Sequence, residues 1–172
     1  MMDNEDAKKF WKQMESLEAQ NKKIKQHNDG LKHSLLRTNR SFKKTQFVDT
    51  LVYPSMKDYK FVRDNLAQLK QDLTTFDQLK IPEFEVELDP KNLEIKIIKQ
   101  FIRGKPVTND RKWSEIIWRE VVERPQTHSF SSLHYHNFLY DKDDNLYYVD
   151  LDDYKPMDHE DRIARFLKHF TR

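Results

Sequence analysis

Asn137 and Asp150 are the residues whose types and spacing most resemble a reaction centre. They stand at the two ends of one short stretch, Leu133 to Tyr154, LHYHNFLYDKDDNLYYVDLDDY. The stretch reads as a polar loop, an apolar strand ending at Tyr140, an Asp/Asn-rich turn from Asp141 to Asn145, and a second apolar strand, Leu146 to Val149, that delivers Asp150 into an acidic exit. A β-hairpin holding an amide oxygen at one end and a carboxylate at the other is a cradle for a divalent cation, because Mg²⁺ wants oxygen ligands held close together. Asp152 is the reserve ligand. The plainer alternative is a turn capped by carboxylates, in which Asp side chains bond their own backbone.

Other patterns in the same stretch suggest different ions. His134 and His136 lie two apart, so on an extended strand both would point to one face and could chelate a transition metal, with His128 or an Asp as third ligand. Histidines beside aromatic Tyr135 are more often hydrogen-bonded loop residues. Asp141, Asp143, Asn145 and Asp152 mimic the ligand spacing of a calcium loop, but Leu146 stands where such a loop needs glycine, and strands flank it. A hairpin turn explains these residues.

The elements that must position this stretch are legible from periodicity. Phe10, Met14, Leu17, Asn21, Ile24, Asn28, Leu31 and Leu35 alternate spacings of four and three, the rhythm of a coiled coil over four heptads. A long helix from about Asp6 is expected, packed along its own domain or self-associated, with Gly30 ending or bending it. Ser55, three residues before Asp58, opens a second helix with an apolar stripe of Tyr59, Val62, Leu66, Leu69 and Leu73. A strand is expected at Phe47 to Tyr53, and a strand pair at Phe84 to Leu88 and Leu93 to Ile102 around the turn Asp89 to Asn92. A third helix runs from Asp110 to about Glu123 and stops before Pro125, with Trp113, Ile116, Ile117 and Val121 inward. Ile163, Phe166, Leu167 and Phe170 suggest a closing helix. Trp113 and Trp118 fall on different helix faces, so at least one is expected at the surface or in a contact, Trp113 being the one to lie beneath the hairpin. Hairpins separated by helices favour an α+β architecture.

Composition bounds the function. At 172 residues the chain is one ordinary domain with an appendage, and 12% aromatic residues alongside 35% charged ones are too many for a disordered chain. The start, MMDNED, is acidic where a secretory signal is basic, and no apolar run approaches a membrane span, so a soluble cytoplasmic protein without a membrane partner is expected. The absence of cysteine rules out disulfides and thiolate metal sites. Net charge is only +2, and no stacking pattern accompanies Lys8, Lys9, Lys12, Lys22, Lys23 and Lys25, so no nucleic-acid partner is expected. Residues 1–44 nonetheless carry eleven basic against six acidic side chains, and the rest twenty against twenty-three. A basic arm on a slightly acidic body is either a solvated helix face or an interaction tail for a protein partner or a second copy.

These pieces resemble the protein-kinase-like fold, nearest to its aminoglycoside- and choline-kinase-like branch. IIKQFIRGKPV, Ile97 to Val107, is similar to the family's hinge, an apolar strand ending in a Gly-containing turn. The family's catalytic segment reads His-x-Asp-x-x-x-x-Asn, then two apolar residues and a short hairpin to a metal-holding Asp, and this chain matches from the Asn onward. The resemblance implies that Asn137 and Asp150 hold Mg²⁺ and, through it, ATP, and that His134 stands where small-molecule kinases often carry a second His. It covers roughly residues 47–170, with an arm at 1–44 and a reduced kinase-like domain at 45–172.

Several parts of that pattern are missing. Ser132 stands at the catalytic Asp and Phe130 at the first His. A serine hydroxyl cannot take the proton from a substrate hydroxyl as that Asp does, and losing a general base costs on the order of 10²–10⁴ in rate. With only Gly30 and Gly104, the chain has no Gly-rich phosphate loop, and the expected helix occupies the place of the first two strands. No basic residue lies in FVDTLVY to grip the phosphates, and Lys43 or Lys44 would need a shifted register. The expectation is therefore a truncated, catalytically impaired kinase-like binding protein. Two other functions stay open: a small-molecule phosphotransferase in which His134 or a displaced carboxylate replaces the base, and a structural or assembly protein of a larger particle.

Overall fold

The computed structural model describes Lys8, Lys9, Lys12, Gln13, the strand Arg37–Lys43 and residues 46–171. The heptad positions Phe10 to Leu35 and Gly30 lie outside the described residues. In chain order the elements are β1 (Arg37–Lys43), β2 (Gln46–Val52), α1 (Met56–Asp72), β3 (Leu79–Lys80), β4 (Phe84–Asp89), β5 (Glu94–Gln100), β6 (Lys105–Pro106), α2 (Arg111–Ile117), β7 (His128–Phe130), β8 (Phe138–Tyr140), β9 (Leu146–Tyr148), β10 (Tyr154–Pro156) and α3 (His159–Leu167). This is an α+β fold, and no helix among the described residues is long and apolar enough to cross a membrane.

Alternation builds the first sheet, an antiparallel array in the order β1-β2-β5-β4. Side chains of a strand point to opposite faces in turn, and the buried face takes Phe47, Asp49 and Leu51 from β2 and Ile95, Ile97 and Lys99 from β5. Its first strand falls within residues 37–43, inside the stretch read from the sequence as part of the helical arm, so a β-hairpin precedes α1. Ser55 caps α1 by accepting from the Asp58 N–H at 3.1 Å. Tyr59, Val62, Leu66 and Leu69 of that helix are buried with Leu51, Ile95 and Ile97 in one core. At about 1.5–3 kcal/mol for each large apolar side chain, this face rather than helix propensity holds α1 in place.

The second sheet has the order β3-β9-β8-β6 and is made of strands of two or three residues. Gly104 ends the segment that crosses to it. A Cβ there would meet the Tyr140 carbonyl oxygen at 2.7 Å, so the close approach of backbones requires glycine. Pro106 follows on an edge strand, where a missing N–H is tolerated. β7 and β10 form a separate antiparallel pair.

The third helix departs from the expected single element. Asp110 caps α2, but the chain continues through a wider π turn, Trp118–Val122, closed by the Glu123 N–H on the Trp118 carbonyl at 3.0 Å. Trp113 lies buried beneath the hairpin as expected, and Trp118 is buried too, so neither is exposed. Two layers cover the helix: Trp113 stacks on Tyr140 at 5.0 Å, and Trp118 meets Phe166 of α3 edge-on at 5.1 Å. In α3, Leu167 faces solvent, and the inward position belongs to Arg162. Its guanidinium donates to the carbonyls of Met157, Arg124 and Gln126, one from each nitrogen, so the buried charge is hydrogen-bonded.

Candidate functional site

The site is built where the first sheet meets the hairpin β8–β9. Asn137 ends a 3₁₀ turn, Tyr135–Asn137, and is wholly buried. Its side-chain amide donates to the Ser132 carbonyl at 2.8 Å, and its own carbonyl accepts from the Val149 N–H at 3.0 Å. Asn137 is thereby tied to the residue before Asp150. Asp150 is 2% exposed and opens the 3₁₀ turn Leu151–Asp153, which curls Asp152 and Asp153 back beside it. Carboxylate oxygens of Asp150, Asp152 and Asp153 all lie within 4.8 Å of one another. Asp153 also accepts from the Tyr148 hydroxyl at 3.1 Å. Burial first, and then the carboxylates of Asp153 and Asp150, push the Tyr148 phenol well above its ordinary value, which marks the negative potential at this point.

A cation reaches this site from the first sheet. Lys99 on β5 is 7% exposed, pairs with Asp49 of β2 at 3.1 Å, and donates to the Val149 carbonyl. A buried ammonium therefore spans from the first sheet to the residue preceding Asp150. The signal was present in the alternation: Lys99 falls in phase with the inward Ile95 and Ile97, and Asp49 in phase with Phe47 and Leu51. A charged residue in phase with a buried face needs a partner, and adjacent strands supplied one.

Ser132, at the position of the missing base, contributes its carbonyl, which accepts from Asn137 Nδ2 and, at 3.2 Å, shares the one Tyr148 hydroxyl hydrogen with Asp153. The Asp141 turn behaves as a hairpin turn. Its carboxylate accepts from the Asn145 amide at 3.0 Å and from the N–H groups of Asn145 and Asp143, both at 2.9 Å, and these bonds, the Asn145 amide first, lower its pKa.

The histidines are arranged otherwise than expected. His134 caps a 3₁₀ turn and His136 lies within it, rather than the two alternating along a strand, yet their rings stack at 4.8 Å. His128 does not join them: its ring bonds Asn65 Oδ1 at 3.0 Å and Thr127 Oγ1 at 2.9 Å. His169, past the end of α3, takes its place, with its ring 4.9 Å from that of His134. Burial, followed by the neighbouring His136 and His169, pushes His134 down to about 4, and burial lowers His136 and His169 as well. A cleft of about 530 Å³ lies between Lys70, Phe76, Lys80, Phe84, Gln100 and Tyr147, and its lining includes neither Asn137 nor Asp150.

No protein-family model matches the chain, and no curated protein matches it.

Proposed function

We propose that the protein is a kinase-like binding protein that takes a magnesium-bound nucleotide at Asn137, Asp150 and Asp152 and is impaired in phosphoryl transfer, with residues 1–44 engaging a protein partner or a second copy. The observation that carries the reading is the coupling of Asn137 to Asp150: a buried amide and a buried carboxylate, linked through the Val149 N–H, beside two further carboxylates. Oxygen-rich, closely spaced and anionic, such a donor set suits a hard divalent cation. The order of the elements supports it: a sheet with one long helix, a hinge segment around Gly104, then a short hairpin. Lys99 supports it too, as a cation on the first sheet directed at the same loop.

Catalytic impairment follows from Ser132. In family members an Asp at this place accepts the acceptor's proton, and here the residue offers a hydroxyl, which is no base at neutral pH. The test is transfer of the γ-phosphate from Mg-ATP to a panel of sugar, choline and aminoglycoside acceptors. No turnover above the solvent background is expected. Robust transfer that disappears in Asp150→Ala contradicts the impairment while leaving the metal site standing.

A further inference from the structure

We infer that His134, His136 and His169 form a binding site for a borderline-soft divalent metal ion, zinc being the representative, separate from the carboxylate cluster. The observation is a convergence that chain order alone does not dictate. Two histidines come from the turn before β8 and the third from the C-terminal end, and the central ring, His134, lies 4.8 Å from His136 and 4.9 Å from His169. With Zn–N bonds near 2.0–2.1 Å, the ring centres of imidazoles on one tetrahedral ion stand roughly 5 Å apart. The two separations match that value, while the His134 and His136 rings lie nearly parallel at 22° and His169 stands at 71° to His134, so the rings must turn for their nitrogens to meet on one ion.

The surroundings favour an ion over simple packing. All three residues are half-buried. The Tyr135 hydroxyl donates to the His169 carbonyl and so fixes the C-terminal turn against the turn carrying the other two. Ring nitrogens of His136 and His169 make no hydrogen bond to a described residue, whereas those of His128 are both engaged. His134 Nδ1 accepts the His136 N–H at 3.3 Å, a long contact that metal coordination at Nδ1 would replace. Among the described residues only the carboxylates of Asp150, Asp152 and Asp153 bring ligand atoms within 4.8 Å of one another as they stand. The histidine site therefore closes on its ion by rotation of side chains. Three imidazoles leave a fourth position for water or another small ligand.

The inference is independent of nucleotide binding and is tested without nucleotide. Zn²⁺ is titrated into the full chain against a chromophoric chelator, and Co²⁺ is added separately to read coordination geometry from its visible absorption. Wild type is expected to take up one Zn²⁺ through these residues and to give the intense visible bands of tetrahedral Co²⁺. His169→Ala is expected to weaken Zn²⁺ uptake at least tenfold and remove those bands, whereas Asp150→Ala leaves both unchanged. His136→Gln serves as the second variant, and circular dichroism confirms that each is folded. Undiminished uptake in folded His169→Ala and His136→Gln would overturn the proposal. So would uptake lost in Asp150→Ala alone, which would place the ion on the carboxylates.

Discussion

The first sheet and the hairpin region are held together by different physics. In β1-β2-β5-β4, strands of six or seven residues satisfy one another's backbone groups, and side chains serve mainly to fill a face. Around β8–β9 the strands are three residues long, and side chains do much of the backbone's hydrogen bonding. Asn137 binds the Ser132 carbonyl, Tyr148 binds the same carbonyl, the Ser131 hydroxyl donates to the Asp153 carbonyl, and the Arg165 guanidinium donates to the Ser131 carbonyl. A polar group recruited to fix a loop is also a group aimed at a defined point. Polar side chains with fixed aim therefore gather in the irregular region, while the regular one packs a continuous face.

Lys99 and Asp49 are the exception on the regular side, and altering them gives the largest expected effect. Lys99→Ala removes the ammonium that pairs with the buried Asp49 and binds the Val149 carbonyl, so a loss of about 3–5 kcal/mol is expected in urea unfolding. The double change Lys99→Met with Asp49→Leu should recover most of that stability, since well-packed apolar pairs often replace buried ion pairs without cost. A single variant within about 0.5 kcal/mol of wild type would show that the pair does not join the two regions.

Gly104→Ala sharpens the comparison at the crossing between the sheets. Its Cβ would meet the Tyr140 carbonyl oxygen at 2.7 Å, and backbone cannot move aside as a flexible side chain would. Destabilisation of about 1–3 kcal/mol is expected from thermal or urea unfolding. Ser55→Ala should cost less, about 1 kcal/mol, because the Asp58 N–H loses its cap while the buried face of α1 is untouched.

The smallest expected effect is the pH dependence set in the hairpin region. An unfolded His134 takes up its proton below its ordinary pKa of 6.5, but the folded residue does so only near 4. Between those values the folded state binds fewer protons, so stability is full above pH 6.5 and falls as the pH drops towards 4. His128, His136 and His169 are lowered too and add to the same trend. His134→Gln should flatten the fall in Tm between pH 6.5 and 4. An unchanged slope would mean that His134 is not held neutral by its surroundings.

The legibility of the chain followed the same division. The strands Phe47 to Tyr53, Phe84 to Leu88 and Leu93 to Ile102, the Ser55 cap and the hairpin turn at Asp141 were readable because each rests on local periodicity or a local hydrogen bond. The π turn, the short strands β3, β6, β7 and β10, and the burial of Trp118 were not. Each depends on a partner distant in the chain, as when Tyr140 and Phe166 cover α2 from two sides. In the candidate site, the spacing of Asn137, Asp150 and Asp152 was readable, but not the groups that surround them. Lys99 arrives through strand pairing, and His169 reaches His134 through the packing of α3.

The most direct test of the proposed function is titration calorimetry of Mg-ATP into wild type and Asp150→Ala side by side. Saturable binding that requires Mg²⁺ and weakens at least tenfold in the variant is the predicted result. No heat at millimolar Mg-ATP, or equal binding by the two proteins, would contradict the assignment of Asn137 and Asp150 as a magnesium–nucleotide site.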